Sequence, residues 1–342
     1  MPGHRLGTRL AGFAAVAGAA GAALVWQRRL RRSGTLADFP HLLMGGRETG
    51  TVPPGGVRVT SLGTTMMLID DGVTQIVIDP FLTPVPLLAA ALRTPVATDP
   101  RVVDDALDQV GADRVRAIFV SHAHHDHALD VAHLAHRTGA TVYGSASTLN
   151  LARGGAVPED QLSGLDPTRP VTVGGFTVRT FASRHSPHPL GGEGATIDRP
   201  LPQPAPITAY KEGGTYDFLV SARAQRMLFK GSVNWVPGAF DDVVADTLFL
   251  SVGTLGRVDK TFARDYLDAT LGTLRPELAV LTHWNDLFAP VAAPLPFHRK
   301  FIDDTPLSFE RVRRHSHGAR VGVLDAFTSI TLTPSADLRT GP

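Results

Sequence analysis

The segment His122-Ala123-His124-His125-Asp126-His127 is the most informative part of this chain. It places four histidines and one aspartate next to each other in a short segment. The apolar run Ala117-Ile118-Phe119-Val120 comes shortly before it, so the sequence predicts a buried strand that ends in this loop. Imidazole and carboxylate are ligand types that divalent transition metals select, whereas an apolar core could not satisfy so many ring nitrogens. The alternative is a chance histidine-rich loop, and the pattern favours a metal site.

The composition is that of a folded protein without a strong charge bias. Of the 342 residues, 43% are hydrophobic and 19% are charged. The 33 Lys and Arg residues nearly balance the 32 Asp and Glu residues, so no global field favours nucleic acid or acidic partners. The chain has no cysteine, which excludes disulfides and thiolate ligands. Any metal ion must therefore be bound by His, Asp, Glu or water.

The N-terminal residues 1–33 contain an apolar segment. Residues 10–25 are all Ala, Gly, Val, Leu or Phe, and more arginines follow this run than precede it. A spanning helix needs about 20 apolar residues, so the run is short, but its flanks favour an uncleaved transmembrane anchor. The positive-inside rule then places the main domain in the cytoplasm, associated with the membrane. The alternatives are a signal peptide that is cleaved on secretion and a buried amphipathic helix.

The rest of the chain is predicted to form one α/β domain. Residues 34–56 look like a linker that ends in Pro53-Pro54-Gly55-Gly56, residues 57–334 form the domain, and 335–342 are a tail. Strand-like runs followed by helical ones indicate a layered α/β architecture. The Pro- and Gly-rich stretch 186–214 shows no periodicity, and a loop of this length is usually functional, often a lid.

Two further histidines also follow apolar strand-like runs. His185 comes shortly after Phe176–Phe181, and His283 follows Leu278–Leu281. Because separate strands can deliver side chains to one edge of a sheet sandwich, we expect both histidines to lie close to the 122–127 motif. Other histidines lack this context. We expect them to be surface, supporting or non-ligating residues, namely His125, His133, His136, His188, His315 and His317.

The motif His122-x-His124-x-Asp126-His127, with His185 and His283, resembles that of the metallo-β-lactamase-fold hydrolases. The segments Val59-Thr60-Ser61-Leu62-Gly63 and Ile78-Asp79-Pro80-Phe81 are similar to one branch of this superfamily. That branch contains the ascorbate-phosphate lactonases and the N-acyl-phosphatidylethanolamine-hydrolysing phospholipases D. The resemblance extends from about residue 57 to about residue 289 and implies a four-layer αββα sandwich.

The resemblance also implies a set of metal ligands. His122, His124 and His185 would hold one ion, and a second ion would be held by Asp126, His127 and His283. Zinc is the default for such sites, with one or two ions, and manganese or iron would fit His and Asp ligation as well. Asp79 is expected to support the site through hydrogen bonds.

The chain departs from the family at one position. Members usually carry a bridging aspartate in a Gly-Asp pair, whereas here Ser232 follows Gly231. A neutral hydroxyl bridges two cations poorly, so either the second ion binds weakly or another carboxylate replaces the bridge. Asp286, three residues after His283, is the candidate for this replacement. The alternatives for Asp286 are a helix N-cap and a hydrogen-bond partner of a ligating histidine.

The function that follows is that of a metal-dependent hydrolase acting on a small-molecule or lipid substrate. A metal-bound hydroxide would cleave an ester, lactone or phosphodiester bond, with Asp126 as the catalytic residue that orients the water. One alternative is a degenerate binding or sensory module with this fold, which Ser232 keeps open. A nuclease is a second alternative, although the balanced charge argues against a nucleic-acid partner. The membrane would be a partner only through the N-terminal segment.

Overall fold

The computed structural model describes residues 27–48, 50–187 and 194–333, and the described strands form two seven-stranded sheets. The strands are β1 (Val57–Ser61), β2 (Met67–Asp70), β3 (Gln75–Ile78), β4 (Val115–Phe119), β5 (Thr141–Gly144), β6 (Leu162–Gly164), β7 (Val171–Val173), β8 (Phe176–Ser183), β9 (Thr215–Ala222), β10 (Gln225–Lys230), β11 (Thr247–Ser251), β12 (Leu278–Thr282), β13 (Arg320–Val323) and β14 (Ser329–Leu332). The α-helices are α1 (Leu87–Leu92), α2 (Pro100–Gln109), α3 (His125–Ala128), α4 (Val131–Thr138), α5 (Ala146–Gly154), α6 (Lys260–Leu267) and α7 (Thr305–Arg314).

The first sheet has the strand order β14-β1-β2-β3-β4-β5-β6. Its first four strands pair antiparallel, and β3 to β6 pair parallel. A tight turn joins β2 to β3 because Asp71 Oδ1 accepts hydrogen bonds from the backbone N–H groups of Val73 and Thr74. The parallel strands are connected through helices, as parallel pairing requires.

The second sheet mirrors the first, with the order β13-β12-β11-β10-β9-β8-β7. Strands β7 to β10 pair antiparallel, and β10 to β13 pair parallel. In both sheets an antiparallel meander therefore continues into parallel strands.

Side-chain alternation along the strands creates three apolar cores. In β3, Ile76 and Ile78 point into the core between the two sheets, while Val77 points into the core beneath α2, α4 and α5. A third core lies between the second sheet and helices α6 and α7, around Tyr266 and Phe309. Strands that are buried on both faces read as continuous apolar runs, as Ile118 and its neighbours do. The mixed α/β fold with two sheets agrees with the predicted αββα sandwich.

The helices begin where the sequence provides caps. At α2, Asp99 Oδ1 accepts a hydrogen bond of 3.0 Å from Arg101 N, and Pro100 occupies the first helical position. The amphipathic face of α2 then buries Val103 and Leu107 in the core of the first sheet. Full burial of such a side chain contributes about 1.5–3 kcal/mol.

Residues of the predicted linker contact the sandwich. Leu36 and Leu42 are buried in the core of the second sheet, and Met44 N donates a hydrogen bond of 3.0 Å to Val323 O. The ring of Phe39 lies edge-on to that of Phe309, with 5.4 Å between their centroids. These contacts bring the segment alongside β13 and α7.

The prediction of a transmembrane helix is contradicted for the part of the chain that the structure describes. Within residues 27–48, 50–187 and 194–333, no helix combines the length and the apolar character needed to cross a membrane. The apolar run 10–25, on which that prediction depended, lies outside the described residues.

Candidate metal centre

The candidate site lies where several strands of the two sheets end. The first sheet contributes the turn that follows β4 and continues into α3, residues 120–128. From the second sheet come the loops after β8 and β12, which carry His185 and His283. The structure brings all six predicted ligands together from these three segments.

The six residues form two groups. His122, His124 and His185 make up the first, which we call the three-histidine triad. Asp126, His127 and His283 make up the second, the aspartate triad. In each triad, one potential ligand atom from every residue lies within 4.8 Å of the others. The rings of His122 and His127 have centroids 3.9 Å apart, so the two triads adjoin.

The three-histidine triad consists of neutral imidazoles at neutral pH. Burial, reinforced by the neighbouring histidines, holds the pKa of His122 well below its ordinary value. Burial likewise lowers the pKa of His124 to about 3 and that of His185 to about 4. Neutral imidazole is the form that coordinates a metal ion, so these side chains are in their ligating state.

The aspartate triad contains an ionised carboxylate. Burial opposes this ionisation, but His127 and a hydrogen bond with His283 outweigh it and hold the pKa of Asp126 well below its ordinary value. Asp126 Oδ2 lies 3.3 Å from His283 Nε2 and 3.8 Å from His127 Nε2. The carboxylate therefore faces both imidazoles of its triad.

Asp79 supports the 122–127 motif from behind. Its Oδ2 lies 2.8 Å from His127 Nδ1, and its Oδ1 accepts a hydrogen bond of 2.6 Å from Ser121 N. Because a carboxylate only accepts, His127 Nδ1 carries the proton and Nε2 is left free for a ligand. Burial acts to lower the pKa of His127, and the two carboxylates of Asp79 and Asp126 outweigh it and raise that pKa. Asp79 adopts a left-handed backbone conformation with φ of 50°.

The loop that carries His185 is held by residues after β10. Ser232 Oγ accepts a hydrogen bond of 2.9 Å from Ser186 N, and Asn234 Nδ2 donates one of 2.7 Å to His185 O. His185 Nδ1 donates to Ser186 O over 2.9 Å, which directs Nε2 toward the triad. The Ser232 hydroxyl, which stands at the position of the usual bridging aspartate, thus contacts the backbone of this loop.

His283 is held by two backbone contacts. Its N–H donates a hydrogen bond of 2.7 Å to Thr64 O, and its carbonyl oxygen accepts one of 2.9 Å from His298 Nε2. His283 itself has a left-handed backbone with φ of 58°. Gly253 permits its ring to approach closely, because a side chain at Gly253 would collide with His283 Nδ1.

Asp286, the candidate replacement for the bridge, lies outside both triads. Its buried Oδ2 is 3.2 Å from Arg299 Nε and 3.4 Å from Arg32 Nε. Asp286 Oδ1 also accepts a hydrogen bond of 3.2 Å from Phe288 N. The oxygens of this carboxylate therefore contact two guanidinium groups and one backbone N–H group. Among the described residues, Asp286 is neither the N-cap of a helix nor a hydrogen-bond partner of a triad histidine.

The remaining histidines named from the sequence have other partners. The ring of His125 packs edge-on against Phe81, and His125 belongs to neither triad. Each of the others forms a hydrogen bond with a residue outside the two triads, namely His133 with Asp104, His136 with Gly155, His315 with Arg311 and His317 with Asp268. His188 lies outside the described residues.

Two buried polar residues support neighbouring segments, and no sequence pattern predicted this role for them. His298 is fully buried, and burial lowers its pKa to about 3, so its neutral ring donates from Nε2 to His283. Asp130 is also fully buried and accepts hydrogen bonds from Leu82 N, Thr83 N and Thr83 Oγ1. Neither residue belongs to a motif, so only three-dimensional proximity identifies them.

Much of the predicted lid is docked onto the first half of the fold. Ala205 and Val96 exchange two backbone hydrogen bonds, of 2.8 and 2.9 Å. Glu212 O accepts a hydrogen bond of 2.9 Å from Ala123 N inside the histidine motif. Residues 194–214 therefore form a fixed wall beside the triads, and residues 188–193 lie outside the description.

Comparison with known proteins agrees with this geometry. The profile of the metallo-beta-lactamase superfamily matches residues 59–283. No curated protein matches the chain. Among solved structures, the chain is similar to Igni18, a metallo hydrolase from the hyperthermophilic archaeon Ignicoccus hospitalis (17% identity, 81% of this chain, 98% of that chain, TM-score 0.51).

Two further structures have the same fold. YhfI from Bacillus subtilis, a metallo-beta-lactamase fold protein, is 15% identical over 81% of this chain and 100% of that chain, with a TM-score of 0.52. The isothiocyanate hydrolase from Delia radicum gut bacteria is 13% identical over 80% of this chain and 98% of that chain, with a TM-score of 0.51. Because the profile covers most of the chain and these structures share its fold, the chain belongs to the metallo-beta-lactamase superfamily.

Proposed function

We propose that this protein is a metal-dependent hydrolase whose two triads hold the catalytic metal. The observation that carries this proposal is the convergence of five histidines and one aspartate from three chain segments. The neighbouring triads lie at strand ends and are supported by buried hydrogen bonds, which is the arrangement that a rigid metal site needs.

The residues fit a divalent metal ion by their own chemistry. His122 Nε2 is buried and has no hydrogen-bond partner among the described residues, although an unpaired buried nitrogen is costly. Coordination would satisfy that nitrogen. The donor set of imidazoles and one carboxylate suits zinc, and it also suits manganese and iron.

The chemistry that such an ion supplies is activation of water, because coordination lowers the pKa of water from about 15.7 to about 7. In our proposal, the ionised carboxylate of Asp126 orients the attacking water and accepts its proton. Asp126 is suited to this role because it is ionised at neutral pH and lies within 4 Å of two imidazoles that fix its position. The docked wall of residues 194–214 would limit the access of bulk water to the reacting centre.

The substrate class that we propose is an ester, lactone or phosphodiester. The segments around Leu62 and Asp79 that resemble the lactonase and phospholipase D branch support this choice. An amphiphilic substrate is supported by helix α1, which follows the loop after Asp79 and exposes 69% of both Leu88 and Leu92.

A test combines metal loading with a substrate panel. The stripped protein would be loaded separately with zinc, manganese and iron, then assayed on aryl esters of increasing acyl length, lactones and an aryl phosphodiester. We expect turnover on at least one class, its loss in His122→Ala, and no change in the exposed control His136→Ala.

Bound metal without turnover on any substrate class would instead favour the binding or sensory module, for which Ser232 is the specific observation. Turnover that persists in both His122→Ala and His124→Ala would contradict the metal-dependent mechanism.

A further inference from the structure

The end of β10 lies directly against the candidate metal centre. A side chain at Gly231 would collide with the hydroxyl of Ser121, which precedes His122. Ser232 follows and is buried. We propose that Ser232 anchors the His185 loop instead of bridging two ions, and that the triads consequently bind cations with unequal affinity, the aspartate triad more tightly. This inference rests on the proposed metallo-hydrolase function.

The hydrogen bonds of Ser232 support the anchoring role. Its Oγ accepts a bond of 2.9 Å from Ser186 N, and Asn234 Nδ2 binds the preceding carbonyl oxygen of His185 over 2.7 Å. Two side chains from one short segment thus hold one turn of the His185 loop. The hydroxyl has committed a lone pair to this contact and carries no charge, and a neutral hydroxyl bridges two cations poorly.

Without an anionic bridge, the charge of each triad is set by its own members. The aspartate triad contains one carboxylate, and a second carboxylate, that of Asp79, contacts its His127 at 2.8 Å. The three-histidine triad contains only imidazoles. Its support comes from the Ser121 hydroxyl, 3.1 Å from His122 Nδ1, and from Ser186 O, 2.9 Å from His185 Nδ1.

Electrostatics therefore favours the aspartate triad. A buried anion stabilises a bound dication more than neutral ligands do, because the attraction is strong where water is excluded. A carboxylate behind a ligating imidazole also raises the basicity of that ligand, an effect worth roughly 10- to 100-fold in affinity. We infer a separation of at least that size between the two dissociation constants.

The experiment measures metal retention and does not depend on turnover. The full chain would be stripped with a chelator, loaded with excess zinc, desalted into metal-free buffer and analysed for zinc per chain, with a dye-competition titration giving both dissociation constants. We expect one retained equivalent in the wild type and a second that appears only with excess zinc. In Asp126→Asn the retained equivalent should be lost, and in His124→Ala it should remain.

Variants at position 232 test the anchoring role. Ser232→Ala should still retain one equivalent, since the hydroxyl is not a ligand, with weaker binding of the exchangeable ion because the His185 loop loses its anchor. Ser232→Asp should retain two equivalents by supplying the missing anion. Circular dichroism would check that each variant is folded. If Ser232→Asp does not fold, the comparison of Asp126→Asn with His124→Ala still decides between the two orders of affinity.

The contrary outcomes are distinct. Two retained equivalents in the wild type, with one lost in Ser232→Ala, would show that Ser232 is a bridging ligand and would overturn the inference. Retention that follows His124 instead of Asp126 would overturn the assigned order of affinity. If neither the wild type nor any variant retained zinc, the proposed metallo-hydrolase function would be overturned as well.

Discussion

The two sheets supply the candidate metal centre in different ways. The first sheet provides one continuous turn, residues 122–127, which contributes four of the six candidate ligands. The second sheet provides two separate loops with one histidine each, His185 and His283. We call these contributions the first half and the second half of the site.

The halves also differ in what holds them. In the first half, buried side chains contact the ligands directly, as Asp79 contacts His127 at 2.8 Å and Thr65 Oγ1 contacts the same nitrogen at 3.0 Å. In the second half, the supporting contacts reach the backbone of the ligands and their neighbours, as His298 reaches His283 O. Carboxylate support of a ligand ring is thus found in the first half, whereas in the second half the contacts mainly fix the course of the chain and one backbone carbonyl, Ser186 O, orients the His185 ring.

This difference predicts that changes in the first half act on chemistry and metal affinity, and that changes in the second half act on placement. The largest effect is expected at Asp126. Asp126→Asn removes the anion of the aspartate triad and the proposed proton acceptor, so kcat/KM should fall by about 10²- to 10⁴-fold. Steady-state kinetics with the best substrate of the panel measures this loss, with His136→Ala as the surface control. A fall smaller than that of His185→Ala would reverse the comparison between the halves.

The next effect tests the carboxylate behind the ligand. In Asp79→Asn the pair with His127 loses its charge, and we expect metal affinity to fall by roughly 10- to 100-fold. The chain offers a matched control in Asp104→Asn, because Asp104 also lies 3.0 Å from a histidine, His133, but at a partly exposed position outside the site. Zinc titration should separate the two variants. Equal zinc affinities of the two variants would mean that the Asp79 carboxylate does not strengthen metal binding through His127.

The contrast between the halves also explains how much the sequence could predict. The first half is local in sequence, so its motif and the preceding strand, a continuous apolar run, were predictable from residue type. The second half depends on contacts between distant segments, so the residues themselves marked His185 and His283 only as histidines at strand exits, and their place in the ligand set came from the family resemblance.

Long-range partners account for what the sequence could not provide. Asp286 is a candidate ligand in the sequence because it lies three residues after His283, and in the folded chain Arg32 and Arg299 pair with it. His298 stands in an aperiodic segment and gives no local signal, although its contact with His283 is short. The role of a polar residue outside any motif depends on the segment that contacts it in the fold, and the residue type alone does not show which segment that is.

Substitution of His298 tests the second half of the site most directly. His298→Phe keeps an aromatic ring, slightly larger than imidazole, but removes the donor to His283 O, and loss of one such hydrogen bond costs about 1 kcal/mol, or roughly fivefold in an equilibrium constant. We expect zinc binding by the aspartate triad to weaken by that amount, with binding by the three-histidine triad unchanged. His298→Gln, whose amide can donate from a similar position, should restore most of the affinity. An unchanged titration in His298→Phe would remove His298 from the site.

The smallest effect on the metal centre is expected from Asp303, which sets the pH dependence of stability in the segment that follows His283. Asp303 is fully buried near the end of this segment, and its Oδ1 accepts a hydrogen bond of 2.9 Å from Gly256 N. Burial raises the pKa of Asp303 to about 7, and its hydrogen bonds only partly offset burial.

Since the folded pKa lies above the unfolded one, the native state holds the proton more tightly. The stability from this group is complete below about pH 4 and is lost as the pH rises to about 7. Asp303→Asn keeps a neutral acceptor for Gly256 N and can donate to Ser308 Oγ, so it should abolish this slope. About three pKa units correspond to about 4 kcal/mol, so we expect the variant to be more stable than the wild type by roughly that amount at pH 8 and equally stable at pH 4. Urea unfolding at both pH values measures the difference, and a variant less stable at pH 8 would mean that Asp303 acts as a charged anchor of the second half.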